Sequence, residues 1–210
     1  MVLELILKLF FPISCVSCGK DGDQVVCPTC RMTISPRAMY VADAGCWCFY
    51  LFSDGWVRKA LHALKYGGIP QAATILVQRI AEEHIIETLL PKTARVVWIP
   101  VPIGNKRRKE RGYNQVELLV SELQRVCGGE IWKGALRKRN QESLVGSSRD
   151  ERTKKVAGAF SGGKEMDTKD AFVVLVDDVV TTGATLIAAR KVLEQHGVHV
   201  SLALAIAHED

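Results

Sequence analysis

The chain has 210 residues, 48% of them hydrophobic, and is therefore long enough to bury a core and unlike a disordered tail. Its 28 Lys and Arg against 23 Asp and Glu give a formal charge of +5, which favours an anionic partner only where the basic residues cluster. We expect one domain of ordinary size with a small appendage.

The first segment, MVLELILKLFFPISC, is apolar from Val2 to Phe11 but carries Glu4 and Lys8 at helical spacing. Its apolar run is shorter than the ~20 residues of a membrane span, and it lacks the basic region and cleavage site of a secretory signal. We therefore expect a cytoplasmic protein whose first segment packs on the body as a short helix. Peripheral contact with a membrane surface, or docking of a partner, is the alternative.

Four cysteines come next, in the pattern C-x2-C-x8-C-x2-C. Two such knuckles point four thiolates at one ion, which predicts a closed, structural zinc site rather than a catalytic one. Disulfides are the alternative, disfavoured in a reducing cytosol. The predicted ligands are Cys15, Cys18, Cys27 and Cys30. A second pair, Cys46 and Cys48, leaves open whether one of them replaces a member of the four.

From residue 49 onward, strand and helix patterns alternate, as in α/β proteins. A short strand over Cys48–Phe52 precedes a helix that continues to Leu64. Apolar positions at helical spacing then predict one long amphipathic helix over Gln71–Leu90. The run Val96–Ile99 predicts a buried strand, and Val198–Ala207 predicts the last strand.

A basic run follows the strand at Ile99 and precedes a helix that we expect to begin near Tyr113. Because ligands of α/β folds bind at the carboxyl ends of the strands, we predict a basic loop that overhangs the binding pocket. It can close on a diphosphate or follow a nucleic-acid backbone; a solvated charged face is the alternative. Its residues are Lys106, Arg107, Arg108, Lys109 and Arg111. A later basic stretch carries Arg137, Lys138, Arg139, Arg149, Arg152, Lys154 and Lys155.

The segment FVVLVDDVVTTGATLIAARKVL is the most informative part of the chain. Its apolar run Val173–Val176 predicts a strand buried on both faces, and Asp177 and Asp178 follow it directly. The next residues are small or hydroxylated and lead into a helix, whose first free N–H groups can bind a phosphate. The predicted phosphate loop comprises Thr181, Thr182, Gly183, Ala184 and Thr185. A ribose 5-phosphate offers both adjacent hydroxyls and a phosphate; an ordinary loop with a helix cap is the alternative.

This segment resembles the signature of the type I phosphoribosyltransferases, which bind phosphoribosyl pyrophosphate (PRPP). The resemblance implies that Asp177 and Asp178 contact the ribose hydroxyls and that the threonine-rich loop wraps the 5-phosphate. It also implies that the pyrophosphate, with Mg2+, is received by a second loop. That loop contains Lys65, Tyr66, Gly67 and Gly68; a helix stopped by glycine, with a solvated lysine, is the alternative interpretation of these residues.

Several further motifs resemble the ComF family over nearly the whole chain. They are the leading cysteine knuckles, the RGYNQ box, the NQESL segment and the R-x2-R-x3-V-x-GAF stretch. The family is associated with natural competence, in which its members handle incoming single-stranded DNA in the cytoplasm. The chain departs from the family where Cys46-Trp47-Cys48 replaces a C-x2-C pair, which concerns the choice of zinc ligands.

The predicted fold class is α/β: a type I phosphoribosyltransferase-like fold with a mainly parallel, twisted sheet, plus a small N-terminal zinc-ribbon-like module. We place the zinc module in residues 1–48 and the phosphoribosyltransferase-like domain in residues 49–210.

The resemblance implies a competence or DNA-utilisation protein that binds PRPP-like ligands and single-stranded DNA. DNA contacts are expected from the basic run and from Tyr113, Arg149 and Arg152, with Tyr113, Trp132 or Tyr66 stacking on bases. Two alternatives stay open: an active PRPP-dependent phosphoribosyltransferase, and a non-catalytic adaptor for a competence helicase or another competence protein. Catalytic residues, acceptor base and oligomeric state are not predicted.

Overall fold

A computed structural model describes residues 13–139, 158–163 and 167–209. The predicted N-terminal helix and the basic residues Arg149 and Arg152 lie outside these ranges. The longest helix described has 13 residues, and no helix within the described ranges qualifies as a membrane span.

The N-terminal module consists of a short antiparallel pair, β1 (Ile13–Ser14) and β2 (Asp21–Gly22), followed by α1 (Pro28–Arg31). Val25 and Val26 are buried in the same core cluster as the helices of the main body. Two polar contacts also join the module to that body: Lys59 donates to the backbone carbonyl of Ser17, and Arg31 pairs with Glu82. The module is therefore packed against the body.

A six-stranded sheet forms the centre of the molecule. Its strands are β3 (Met39–Val41), β4 (Cys46–Leu51), β5 (Arg95–Pro100), β6 (Glu130–Ile131), β9 (Ala171–Val180) and β10 (Leu202–His208). They lie in the order β3-β4-β10-β9-β5-β6. All neighbouring strands are parallel except the edge strand β3, which pairs antiparallel with β4. A separate hairpin pairs β7 (Leu136–Lys138) with β8 (Phe160–Gly162). The mainly parallel sheet predicted from the sequence is confirmed.

Helices cover both faces of this sheet, so its strands are apolar on both sides. One face carries α2 (Gly55–Tyr66), α3 (Gln71–Glu82), α4 (Ile85–Leu89) and α6 (Gln115–Cys127); the other carries α7 (Ala184–Gln195) and the β7–β8 hairpin. On β5, Trp98 packs in the core on the side of α2, α3 and α6, whereas Val97 and Ile99 pack in the core on the side of α7 and the hairpin. This alternation decides which side chains of β9 meet which helices.

The structure differs from the predicted elements in several places, and three of them bear on the site or the domain boundary. The helix expected over Gln71–Leu90 is interrupted at His84, whose φ of +54° is left-handed, and continues as α4. The basic run expected to be a loop forms a helix, α5 (Asn105–Arg111). The main sheet includes β3 and β4 and therefore begins ahead of residue 48, where the sequence analysis places the domain boundary.

Candidate functional site

Asp177 and Asp178 lie near the carboxyl end of β9, a central strand of the sheet, and both are buried. Successive side chains of a strand point to opposite faces, so the two carboxylates have different surroundings. Asp178 faces α2 and α6. Lys65 Nζ of α2 lies 3.1 Å from Asp178 Oδ2, and Gln115 Nε2 of α6 donates a hydrogen bond to the same oxygen over 2.7 Å. Asp178 is thus held by one cation and one amide.

Within the described residues, Asp177 forms no ion pair like that between Asp178 and Lys65. Its Oδ1 accepts a hydrogen bond from the backbone N–H of Asp178 (2.9 Å). Burial, with the nearby charge of Asp178, raises the pKa of Asp177 to about 7, well above the ordinary aspartate value. A buried acid with a raised pKa at a strand end is typical of ligand sites.

The RGYNQ box connects α5, α6 and the end of α2 to this acid pair. Gly112, with φ of +79°, ends α5 and reverses the chain. The hydroxyl of Tyr113 donates to the carbonyl of Leu64 (2.7 Å), and Asn114 caps α6 by accepting from the N–H of Val116 (3.0 Å). These contacts fix the beginning of α6, where Gln115 stands.

Gln115 also joins the acid pair to a half-buried cation. Its Oε1 accepts from Arg111 Nη1 (2.7 Å) while its Nε2 donates to Asp178. Arg111 in turn lies over the ring of Tyr66, 5.0 Å from the centroid. Gln115 belongs to the RGYNQ box, but its contact with Asp178 is not among the contacts predicted from the sequence.

The predicted phosphate loop lies between β9 and α7, beside Asp177. It lines a small pocket of about 150 Å³ with Asp177, Val179, Val180 and residues 181–186. Gly183 has a φ of +73° and approaches the N-terminal side of β4 so closely that a Cβ there would lie 2.4 Å from Ala44. Only glycine fits this position, and α7 begins immediately afterwards.

A second pocket, of about 410 Å³, lies at the end of α2. Lys65 and Tyr66 are the last residues of that helix, rather than part of a loop, and Gly67 caps it. Since Lys65 contacts Asp178, this pocket borders the acid pair. Its lining consists of Lys65, Tyr66, Gly67, Gly68, Glu110, Arg111 and Tyr113.

A third, larger cleft of about 650 Å³ separates α5 from the β7–β8 hairpin. Among the described residues that line it, none is acidic and five are basic: Lys106, Arg107, Lys109, Lys138 and Arg139. Burial lowers the pKa of Lys138, Arg107 lowers it further, and the charges of Asp177 and Asp178 oppose this change. The charges of Asp177 and Asp178 therefore act on Lys138, a side chain that lines the cleft.

Not every predicted nucleic-acid residue faces this cleft. Arg108 pairs instead with Glu117 of α6 (3.1 Å). Trp132 is 9% exposed and packs in the core, so the prediction that it stacks on bases is wrong. Lys138 and Arg139 line the cleft although the sequence analysis noted them only as part of a basic stretch.

The four predicted zinc ligands come together in the N-terminal module. The Sγ atoms of Cys15, Cys18, Cys27 and Cys30 all lie within 4.8 Å of one another, and those of Cys18 and Cys27 are 3.8 Å apart. Four sulfurs about 2.3 Å from a tetrahedral zinc are separated by roughly this distance, so the residues fit the ion.

The second cysteine pair lies elsewhere. Cys46 and Cys48 are fully buried on β4, with Sγ atoms 4.0 Å apart, in the core layer beside α7. Within the part of the chain that the structure describes, the four-thiol group includes neither of them.

The sequence of the chain is similar to one protein-family model and to several known proteins. The family model described as phosphoribosyl transferase domain matches residues 88–210. "Competence protein F" of Haemophilus influenzae is 35% identical over 105 residues, which cover 48% of this chain and 44% of that protein. "Competence protein ComFC" of Streptococcus pneumoniae is 25% identical over 198 residues, covering 87% and 82%. "DNA utilization protein YhgH" of Salmonella typhi is 29% identical over 142 residues, covering 65% and 60%.

The family model matches more than half of the chain, and the chain therefore belongs to the phosphoribosyl transferase domain family. The relatives confirm the ComF-type resemblance inferred from the motifs. The chain spans less than two thirds of the Haemophilus and Salmonella proteins.

Proposed function

We propose that this protein is a competence or DNA-utilisation protein that binds a phosphorylated ribose of the PRPP type at the acid pair and single-stranded DNA along the adjoining basic cleft. The proposal rests on one observation: an acid pair and a phosphate loop at the carboxyl edge of the sheet share that edge with a cleft of five basic side chains. The names of the relatives support the same assignment.

The acid pair and the loop have complementary tasks. Asp177 and Asp178 offer acceptors to the adjacent ribose hydroxyls, while the free N–H groups at the start of α7 and the hydroxyls of Thr181, Thr182 and Thr185 surround the 5-phosphate. Lys65 lies at the other side of Asp178 and can turn toward a pyrophosphate. Mg2+ bound with such a ligand would neutralise its pyrophosphate oxygens.

The basic cleft suits a nucleic-acid backbone because its cations come from two separate elements, α5 and β7, that face each other across a gap. Contacts of this kind to phosphates are independent of sequence and release bound counterions, so binding becomes salt-dependent. None of the described residues that line the cleft carries an acidic side chain that would repel the backbone.

A matched pair of variants tests the DNA part. The triple variant Lys106→Gln, Arg107→Gln, Lys109→Gln removes three cleft cations, whereas Arg108→Gln removes a cation of the same helix that pairs with Glu117. We expect the triple variant to bind single-stranded oligothymidine more weakly, with the log–log salt slope reduced by ~0.7 for each lost phosphate contact. Arg108→Gln should keep the wild-type slope.

Fluorescence anisotropy at several salt concentrations provides the measurement. Equal slopes for the wild type and the triple variant would show that the cleft is a solvated surface, and the DNA part of the proposal would then be withdrawn. Absence of any binding by the wild type would favour the adaptor alternative.

A further inference from the structure

We infer that the exposed end of α2 is a stacking platform for a nucleobase, formed by Tyr66 with Arg111 and supported by His62 and Phe52. This inference rests on the proposed function and specifies which part of the protein receives a base. Neither the phosphate loop nor the basic cleft accounts for these aromatic groups.

The platform is a row of four planar groups at the surface. His62 and Tyr66 are four residues apart on α2 and hence on one face of the helix; their rings are 5.7 Å apart and meet edge to face. Phe52 lies 5.9 Å from His62 on the other side, and the guanidinium of Arg111 lies 5.0 Å from the Tyr66 centroid. Tyr66 is 73% exposed despite these neighbours.

A large aromatic ring so exposed at the rim of a pocket is available to a ligand with a flat apolar face. Planar guanidinium and aromatic groups are the surfaces on which nucleobases stack, with little dependence on base identity. The adjoining pocket of about 410 Å³ is large enough for a base with its sugar.

Its position relative to the acid pair strengthens the assignment. Lys65, next to Tyr66 in the chain, contacts Asp178, and Arg111 reaches the same carboxylate through Gln115. A nucleotide can therefore place its sugar phosphate near the acid pair while its base lies on Tyr66. The other two aromatic candidates are less available, because Trp132 is buried and the hydroxyl of Tyr113 is bonded to Leu64.

The test compares an oligothymidine with a base-free strand of the same length and backbone charge. Tyr66→Ala is expected to lower affinity for oligothymidine by about 5- to 100-fold and to change affinity for the base-free strand less than about twofold. Tyr66→Phe keeps the ring and should bind as the wild type does. Tyr40→Ala is the matched control, since Tyr40 is 58% exposed on edge strand β3 and contacts Trp47.

Equal losses for both strands in Tyr66→Ala, or no loss for either, would overturn the platform. Weakening by Tyr40→Ala as large as that by Tyr66→Ala would also overturn it. If the wild type binds neither strand, the DNA part of the proposed function fails, and thymidine monophosphate then decides the platform separately. Binding that Tyr66→Ala abolishes and Tyr66→Phe retains supports the platform, and Tyr66-independent or undetectable binding refutes it.

Discussion

The two adjacent aspartates differ because a strand directs them to opposite faces. Asp178 points to α2 and α6 and is bonded by Lys65 and Gln115. Asp177 lines the pocket of the predicted phosphate loop and carries a buried carboxyl whose pKa is raised to about 7. Such a group weakens the fold, and groups of this kind occur at binding sites.

The raised pKa of Asp177 predicts how stability depends on pH. Between the unfolded value of 3.8 and about 7, the folded protein binds more protons than the unfolded chain, so the free energy of unfolding falls as pH rises through this window. Asp177→Asn removes the buried charge and keeps an oxygen for the N–H of Asp178. We expect it to raise the free energy of unfolding at pH 8 by roughly 1–4 kcal/mol, with the gain shrinking toward pH 4.

Thermal or urea unfolding at several pH values measures this effect. Asp178→Asn serves as the control, because it leaves Lys65 without its carboxylate and should give a smaller gain or a loss at pH 8. A pH-independent difference between the wild type and Asp177→Asn would contradict the assignment of the raised pKa.

Among the elements, the beginning of α7 depends on a close contact with the turn before β4. Gly183 combines a left-handed φ with a backbone approach to Ala44 that leaves no room for a Cβ. The phosphate loop is thus shaped by a segment about 140 residues earlier in the chain.

Gly183→Ala should therefore distort the loop as well as strain the backbone. We expect a loss of about 2–4 kcal/mol in unfolding free energy, combining the strain of a left-handed residue with overpacking, together with loss of phosphate binding. Gly68→Ala is the matched control: its φ is +62°, but nothing lies within 4 Å of the added Cβ, so only the strain of about 1–2 kcal/mol remains. Chemical unfolding checks both variants, and equal costs would show that the Ala44 contact is unimportant.

The same elements show what the sequence predicts and what it cannot. The apolar run before Asp177 and the cysteine spacing identify β9 and the thiol cluster, because these are local patterns. The contacts of Lys65 and Gln115 with Asp178 join residues 113 and 63 positions apart, and no local pattern encodes them. Helix α5 was missed because its charged residues give no apolar periodicity, and the break at His84 has no glycine or proline to mark it.

At the scale of the whole molecule, the N-terminal module shares its core with the main body. Cys15, Val25 and Val26 belong to the same cluster as α2 and α3, so the energy of binding a metal at the four cysteines would contribute to the stability of both parts. We expect one zinc per chain in the purified protein, and we expect Cys18→Ser or Cys30→Ser to lower the melting temperature and the soluble yield.

Metal analysis and thermal unfolding, with and without a chelator, check this prediction. Cys127→Ser is the control, because Cys127 lies at the end of α6, away from the thiol cluster. Reduced, soluble protein without zinc, or equal effects of Cys18→Ser and Cys127→Ser, would contradict a structural metal site.

Calorimetric titration of PRPP with Mg2+ tests the central claim most directly, because substitutions in the acid pair and in the phosphate loop should change the affinities of different ligands. Replacing one carboxylate in Asp177→Asn removes a charge-assisted bond of roughly 1.5–3 kcal/mol, so PRPP affinity should fall by about ten- to a hundredfold, while inorganic phosphate binds as before. Thr182→Val should weaken PRPP, ribose 5-phosphate and phosphate together. Equal PRPP affinities for the wild type and Asp177→Asn would contradict a phosphoribosyl site at the acid pair.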